Sequence, residues 1–122
     1  MAGATVERSQ ERKRVNNIYV QFRVKGERKW GILKGDPRRG LVVNLSKGGM
    51  GVRVTAPVKV DAVLDVEMDV PGVREPLGFK AKVRWVREQK KLGTVTYTHV
   101  FGAQFIEYSP ESWGAVQKFL GQ

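Results

Sequence analysis

Several residue types that build reactive or metal-binding sites are missing from this chain of 122 residues. There is no cysteine, which excludes disulfides, thiolate nucleophiles and thiolate-held metals. His99 is the single histidine, so a zinc site built from several histidines cannot form. No serine-protease-like triad, P-loop or dinucleotide fingerprint is present. These absences predict a binding protein that is not an enzyme and that needs no cofactor and no metal.

Long apolar segments are missing as well. No run approaches the roughly 18–20 apolar residues that span a membrane. Residues 1–8 lack the basic-then-apolar pattern of a signal peptide. We therefore expect a cytoplasmic protein that does not insert into a membrane. Its length fits a single domain, since domains most often have about 100–150 residues.

Acidic residues are scarce relative to basic ones, and the imbalance is uneven along the chain. The 22 Lys and Arg outnumber the 12 Asp and Glu, which gives a formal net charge of +10. Residues 1–39 hold 11 of the basic and 4 of the acidic side chains and so carry +7 of that charge. A balance this basic favours an anionic partner: nucleic acid, a nucleotide, an acidic protein or a membrane surface. The anion-binding face should involve the N-terminal third.

Apolar residues recur at every second position after residue 17, which is typical of half-buried strands. Closely spaced strands without intervening helices favour an antiparallel barrel or sandwich. The predicted strand segments are 18–25, 40–45, 50–54, 60–70, 77–85 and 94–106. Gly102, inside the last of them, indicates a bulge or bend. Ser109 and Pro110 predict the start of a short C-terminal helix that ends near Gly121.

The first candidate binding segment is the basic stretch 11–17, directly before the first strand. Arginine carries planar paired donors that match phosphate oxygens or the O6/N7 edge of guanine. We interpret residues 1–17 as a flexible basic arm that can wrap a ligand and become ordered on binding. The competing interpretation is a solvated charge cluster that only aids solubility.

The second candidate segment is the turn Asn44 to Gly49, between two predicted strands. Asn and Ser side chains can close local turns or donate to a phosphate. Adjacent glycines permit positive φ and close approach of a ligand, and backbone N–H groups in such turns can form an anion nest. Taken by itself, the segment is more typical of a plain hairpin turn than of a binding site.

In this order and at this spacing, the two segments resemble the PilZ domain family. Its signature is an R-x-x-x-R segment before the first strand and a [D/N]-x-S-x-x-G turn in the barrel. Residues 44–49, Asn-Leu-Ser-Lys-Gly-Gly, match the second motif in full. Segments 83–86 and 101–105 also resemble the family's barrel-closing strands. The resemblance covers roughly residues 11–120. It implies a mainly β fold, a six-stranded antiparallel barrel over residues 18–122 with a short C-terminal helix, and binding of the bacterial second messenger cyclic di-GMP.

The first motif departs from the family pattern. Counted back from the first strand, the family's two arginines fall at Lys13 and Asn17. Arg8 and Arg12 have the R-x-x-x-R spacing but lie about five residues further from that strand, and Arg14 follows the expected position directly. In the family the arginines contact guanine bases and phosphates, and the turn positions hold the rest of the ligand. The ligand-binding residues that the resemblance implies are Arg8, Arg12, Lys13, Arg14, Asn17, Asn44, Ser46, Gly48 and Gly49.

Three functions remain open at this point. The first is a receptor domain that binds cyclic di-GMP and relays the signal to a partner protein, with motility, adhesion and exopolysaccharide output as the usual family associations. The second is an adaptor that binds a protein partner without the messenger, for which Lys13 and Asn17 are the supporting departures. The third is nucleic-acid binding by a small basic barrel, which charge alone supports. Trp85 and Trp113 are predicted to pack in the core and against the helix, and Trp30 is a candidate ligand contact.

Overall fold

A computed structural model of the protein describes residues 13–26, 38–89 and 97–121. Within these ranges the chain forms six strands and one helix. The strands are β1 (Lys13–Val24), β2 (Arg38–Ser46), β3 (Gly49–Val54), β4 (Val63–Asp69), β5 (Leu77–Glu88) and β6 (His99–Tyr108), and the helix is α1 (Pro110–Phe119). Trp30 lies outside the described residues, and so do residues 94–96 at the start of the predicted 94–106 strand.

The six strands close into a barrel in the order β1-β2-β3-β6-β5-β4. Every neighbouring pair is antiparallel, and β1 pairs with β2 on one edge and with β4 on the other. Phe22 shows the closure, since it lies opposite Arg38 in β2 and opposite Val66 in β4. The predicted mainly β, six-stranded antiparallel barrel with a short C-terminal helix is confirmed.

The core fills the inside of the barrel with the apolar half of each alternating strand. In β4 the burial alternates residue by residue, because successive side chains point to opposite faces of a strand. Phe22 and Phe101 meet edge to face at 5.7 Å between ring centroids. All six strands and the helix contribute fully buried side chains. These include Ile18, Phe22, Val42, Leu45, Met50, Val52, Leu64, Met68, Val83, Phe101 and Val116.

Helix α1 begins and ends where the sequence predicts. The Ser109 side chain accepts a hydrogen bond from the backbone N–H of Ser112 at 3.1 Å, and Pro110 occupies the first helical turn. Gly121 follows the helix with a φ of +84°, a conformation that glycine adopts without strain. Val116 is fully buried, and Trp113 packs against the core as predicted. The helix therefore covers part of the barrel.

Strand β1 starts earlier than the sequence pattern indicates. Residues 13–17 were assigned to the basic arm, yet they belong to β1, which begins at Lys13. Their lack of a two-residue period has a structural reason: the pairing of β1 with β2 shifts register between Arg14 and Ile18. Residues 1–12 lie outside the described residues, so the flexibility expected of the arm stays a prediction.

Strand β4 starts later than the pattern indicates, at Val63 and not at residue 60. Asp61 has a φ of +75°, and its backbone N–H donates to Val83 O at 2.8 Å, so residues 60–62 form the turn into the strand.

In the described part of the chain, no helix has the length and apolar character that crossing a bilayer requires.

The Phe22–Phe101 contact should carry a large share of the stability. Phe22→Ala is expected to lower the free energy of unfolding by about 3–5 kcal/mol, because it removes a fully buried ring and leaves a cavity. Tyr19→Ala is the matched control, since Tyr19 lies on the same strand with 52% of its surface exposed; its loss should cost no more than about 1 kcal/mol. Urea denaturation of both variants measures the difference, and equal losses would contradict this assignment of the core.

Candidate functional site

The start of β1 lies directly beside the end of β2. Lys13 is the pairing partner of Leu45, and Arg14 is the pairing partner of Asn44. The basic segment and the Asn44 turn therefore share one end of a two-stranded ladder, in which paired residues lie about 4.5–5.5 Å apart. This is the juxtaposition that a site built from both motifs requires.

The turn that follows Asn44 is fixed by hydrogen bonds to itself and to β6. Ser46 is buried, with 6% of its surface exposed, and its Oγ accepts a hydrogen bond from the backbone N–H of Gly48 at 3.2 Å. The carbonyl of Gly48 accepts from the backbone N–H of Phe105 at 2.9 Å. Ser46 thus fixes the shape of the turn, and Gly48 connects the turn to the neighbouring strand β6.

An extra residue in β2 places Asn44 on the outer face of the barrel. Val42 pairs with Val52, but Asn44 pairs with Gly51, so Val43 has no partner of its own in β3. Strict alternation from the buried Val42 would point Asn44 inward. The bulge reverses this parity, which buries Leu45 and turns Asn44 outward.

Asn44 belongs to a row of residues that crosses the outer face of the barrel. Arg14, Asn44, Gly51, Gly102 and Trp85 are successive pairing partners on β1, β2, β3, β6 and β5. A Cβ atom built on Gly51 would lie 2.9 Å from Asn44 Nδ2, and one built on Gly102 would overlap the Trp85 indole. Asn44 and Trp85 therefore cover a floor made of two glycines. We call this outer-face row the glycine trough.

The position of Trp85 corrects the sequence prediction. Trp85 was assigned to the core by alternation, but it is half-buried and lies on the outer face over Gly102. The cause is a second bulge: Val83 pairs with Ala103 and Trp85 with Gly102, which leaves Arg84 unpaired in the ladder. The irregularity expected at Gly102 does occur at that position, although the extra residue lies in β5 and not in β6.

Three of the four register shifts in the described strand pairs lie at the glycine trough, and the fourth lies between Lys80 and Ala81. One lies in β1 between Arg14 and Ile18, one in β2 at Val43 and one in β5 at Arg84. Each of these three shifts lies next to a residue of the row, and bulges are over-represented where a strand has to redirect a side chain at a site. Departures from regular strand pairing therefore shape this row.

The opposite face of the barrel is acidic. Asp65, Glu67 and Asp69 alternate along β4 and are all exposed, on the side of β1 that faces away from β2. A groove of 570 Å³ near this face, lined by Tyr19 and Asp69 among others, includes none of the predicted site residues. The acidic row on β4 is therefore separate from the predicted site residues.

The structure brings together most of the predicted site residues. Backbone pairing groups Lys13 and Arg14 with the turn residues, and Asn17 is exposed in the irregular part of β1. Arg8 and Arg12 lie outside the described residues. The members of the group are Lys13, Arg14, Asn44, Ser46, Gly48 and Gly49.

The sequence pattern does not identify Gly51, Gly102 and Trp85 as neighbours in one row of the outer face. Each is a glycine or an aromatic residue in a strand, but their grouping depends on which strands pair and in which register. No group of three or more metal-ligating His, Asp or Glu side chains occurs among the residues that the structure describes.

Comparison with known proteins identifies the class to which this barrel belongs. The family model for the PilZ domain matches residues 7–122. The chain therefore belongs to the PilZ domain family, as the two motifs indicated. This is a family of cyclic di-GMP-binding domains. No match was found among curated proteins.

Two solved structures share the fold. The PilZ domain with c-di-GMP of YcgR from Escherichia coli has a TM-score of 0.65 and 18% sequence identity, with 88% of this chain and 83% of that chain covered. The Bacillus subtilis inhibitor of motility, MotI/DgrA, has a TM-score of 0.63 and 15% identity, with 89% of this chain and 47% of that chain covered.

The close packing of β3 on β6 should make Gly49 intolerant of a side chain. A Cβ on Gly49 would overlap the backbone carbonyl of Ala103, so Gly49→Ala should lower the free energy of unfolding by about 1–3 kcal/mol, as overpacking does. Gly78→Ala is the control, because Gly78 also lies in a strand and has no atom within 4 Å of the added group. Thermal unfolding of both variants tests this, and a Gly49→Ala variant as stable as Gly78→Ala would show that the two strands do not pack this closely.

Proposed function

We propose that this PilZ domain binds cyclic di-GMP on the outer face of its barrel, along the glycine trough, and relays the signal to a partner protein. The observation that carries the proposal is the pairing of Arg14 with Asn44, which joins the basic segment to the intact second motif at one end of the trough. The bound messenger of the YcgR domain, which has the same fold, agrees with this ligand.

The chemistry of the trough suits a dinucleotide. Asn44 carries an amide, a group whose donors and acceptor can recognise a guanine edge or a phosphate. Glycines at positions 51 and 102 let the side chains of Asn44 and Trp85 lie close against the sheet, so the outer surface stays low where a flat base would lie. The half-buried Trp85 ring forms an apolar border of this surface.

Ser46 takes a supporting role in this proposal. Its hydroxyl accepts the Gly48 N–H and so shapes the turn. The backbone of that turn, held to β6 through Gly48, is then in place before the ligand arrives. Preorganised donors of this kind lower the entropy lost on binding.

The location of the site supports the relay. A ligand on the outer face lies at the start of β1 and changes a surface that another protein can contact. Lys13 and Asn17, at the positions where the family has arginine, favour one alternative: an adaptor that binds its partner without the messenger. Such an adaptor forms the same complex whether or not cyclic di-GMP is added and whether or not Asn44 is intact.

Isothermal titration with cyclic di-GMP tests the proposal directly. The unaltered protein should bind, and Asn44→Ala should weaken binding about 10-fold through loss of hydrogen bonds to the ligand. Gln21→Ala is the matched control, because it removes an amide from β1 opposite Glu67 of β4, away from the trough; it should leave the affinity unchanged. No heat at high micromolar ligand would refute the receptor function and leave the messenger-independent adaptor.

A further inference from the structure

We propose that Arg53 and Arg87 supply guanidinium contacts to the ligand in place of the family arginines that this chain lacks at Lys13 and Asn17. The inference rests on the proposed function and names two further binding residues of the same site. The barrel, and not the sequence order, brings both residues to the same row.

Both arginines lie along one side of the glycine trough. Arg53 follows Gly51 by two positions on β3, and Arg87 follows Trp85 by two positions on β5, so each shares the outer face with its trough neighbour. Arg53 pairs with Val100 of β6, and Val100 pairs with Arg87. The two exposed arginines therefore flank Val100 in the row next to the trough floor.

Their spacing fits a ligand with two phosphates and two bases. Adjacent strands lie about 4.7–4.9 Å apart, so residues on strands separated by one other strand lie roughly 10 Å apart at the backbone. Arginine side chains on either side can lean over the intervening Val100 toward the trough. Two forked cations can then contact one extended anion from the same side.

Arg87 is already held at the edge of the trough. Its guanidinium carbon lies 4.7 Å from the centroid of the Trp85 ring, a cation–π contact. The same indole covers Gly102. The planar group of Arg87 is thereby kept beside the trough.

Some cations elsewhere on the barrel have a carboxylate nearby. Lys80 lies 3.9 Å from Glu107, and Lys82 lies 4.0 Å from Asp61. Arg23 is the pairing partner of Asp65 on the β4 side. Among the residues that the structure describes, neither Arg53 nor Arg87 forms an ion pair with a carboxylate. Their positive charge is uncompensated within the described structure and faces the region where the anion is expected.

The test is isothermal titration of cyclic di-GMP into the full chain and into Arg53→Ala, Arg87→Ala and Arg23→Ala. Loss of a hydrogen-bonded contact to a charged group corresponds to about 10- to 150-fold in affinity, and we expect this range for Arg53→Ala and Arg87→Ala. Arg23→Ala removes the same charge on the acidic side and should change the affinity less than about 2-fold, by weak long-range attraction alone. Arg87→Lys keeps the charge without the planar fork, and we expect it to recover only part of the affinity.

The outcomes separate this inference from the proposed function. If the unaltered protein binds and the Arg53 and Arg87 variants bind as well as Arg23→Ala, the two arginines are not ligand contacts and the receptor function stands. If the unaltered protein does not bind, both proposals fall together. Thermal unfolding of each variant checks that an observed weakening does not come from loss of the fold, and the two arginines test the inference independently.

Discussion

The double pairing of β1 is the constraint on which the rest of the molecule depends. This strand hydrogen-bonds to β2 along one edge and to β4 along the other, and so closes the sheet. Closure leaves these strands without an unpaired edge, which is the feature of open sheets that invites aggregation. The same ladder that buries Phe22 also sets Arg14 beside Asn44. One strand pairing thus determines both the stability of the barrel and the position of its candidate site.

The inner and outer faces of the sheet have different roles. The inner face is almost wholly apolar and supplies the cohesion of the domain. The outer face carries the glycine trough, the arginines beside it and, on β4, the acidic residues. Because the site uses only the outer face, its polar groups interrupt no core contact. The acidic residues of β4 also balance part of the charge of a chain that is strongly basic as a whole.

The sequence predicts the fold well and the site in part. Alternation in strands such as β4 identifies the inward side chains directly, and the 44–49 motif identifies the turn. Alternation fails where a bulge intervenes: it hides the start of β1, and it assigns Trp85 to the core although Arg84 shifts it outward. The row that Arg53 and Arg87 share has no local signal, because it exists only through pairing with β6. A single sequence does not specify that register.

The bulge at Val43 affects how the 44–49 motif should be interpreted in related sequences. One additional residue in β2 decides whether the amide of Asn44 faces water or the hydrocarbon interior. A related chain with identical motif letters but a single deletion before them would bury that amide among aliphatic side chains and lose it for recognition. The motif is therefore meaningful only together with the strand length that precedes it. A change in the length of that strand can therefore remove the outward amide while every signature letter stays in place.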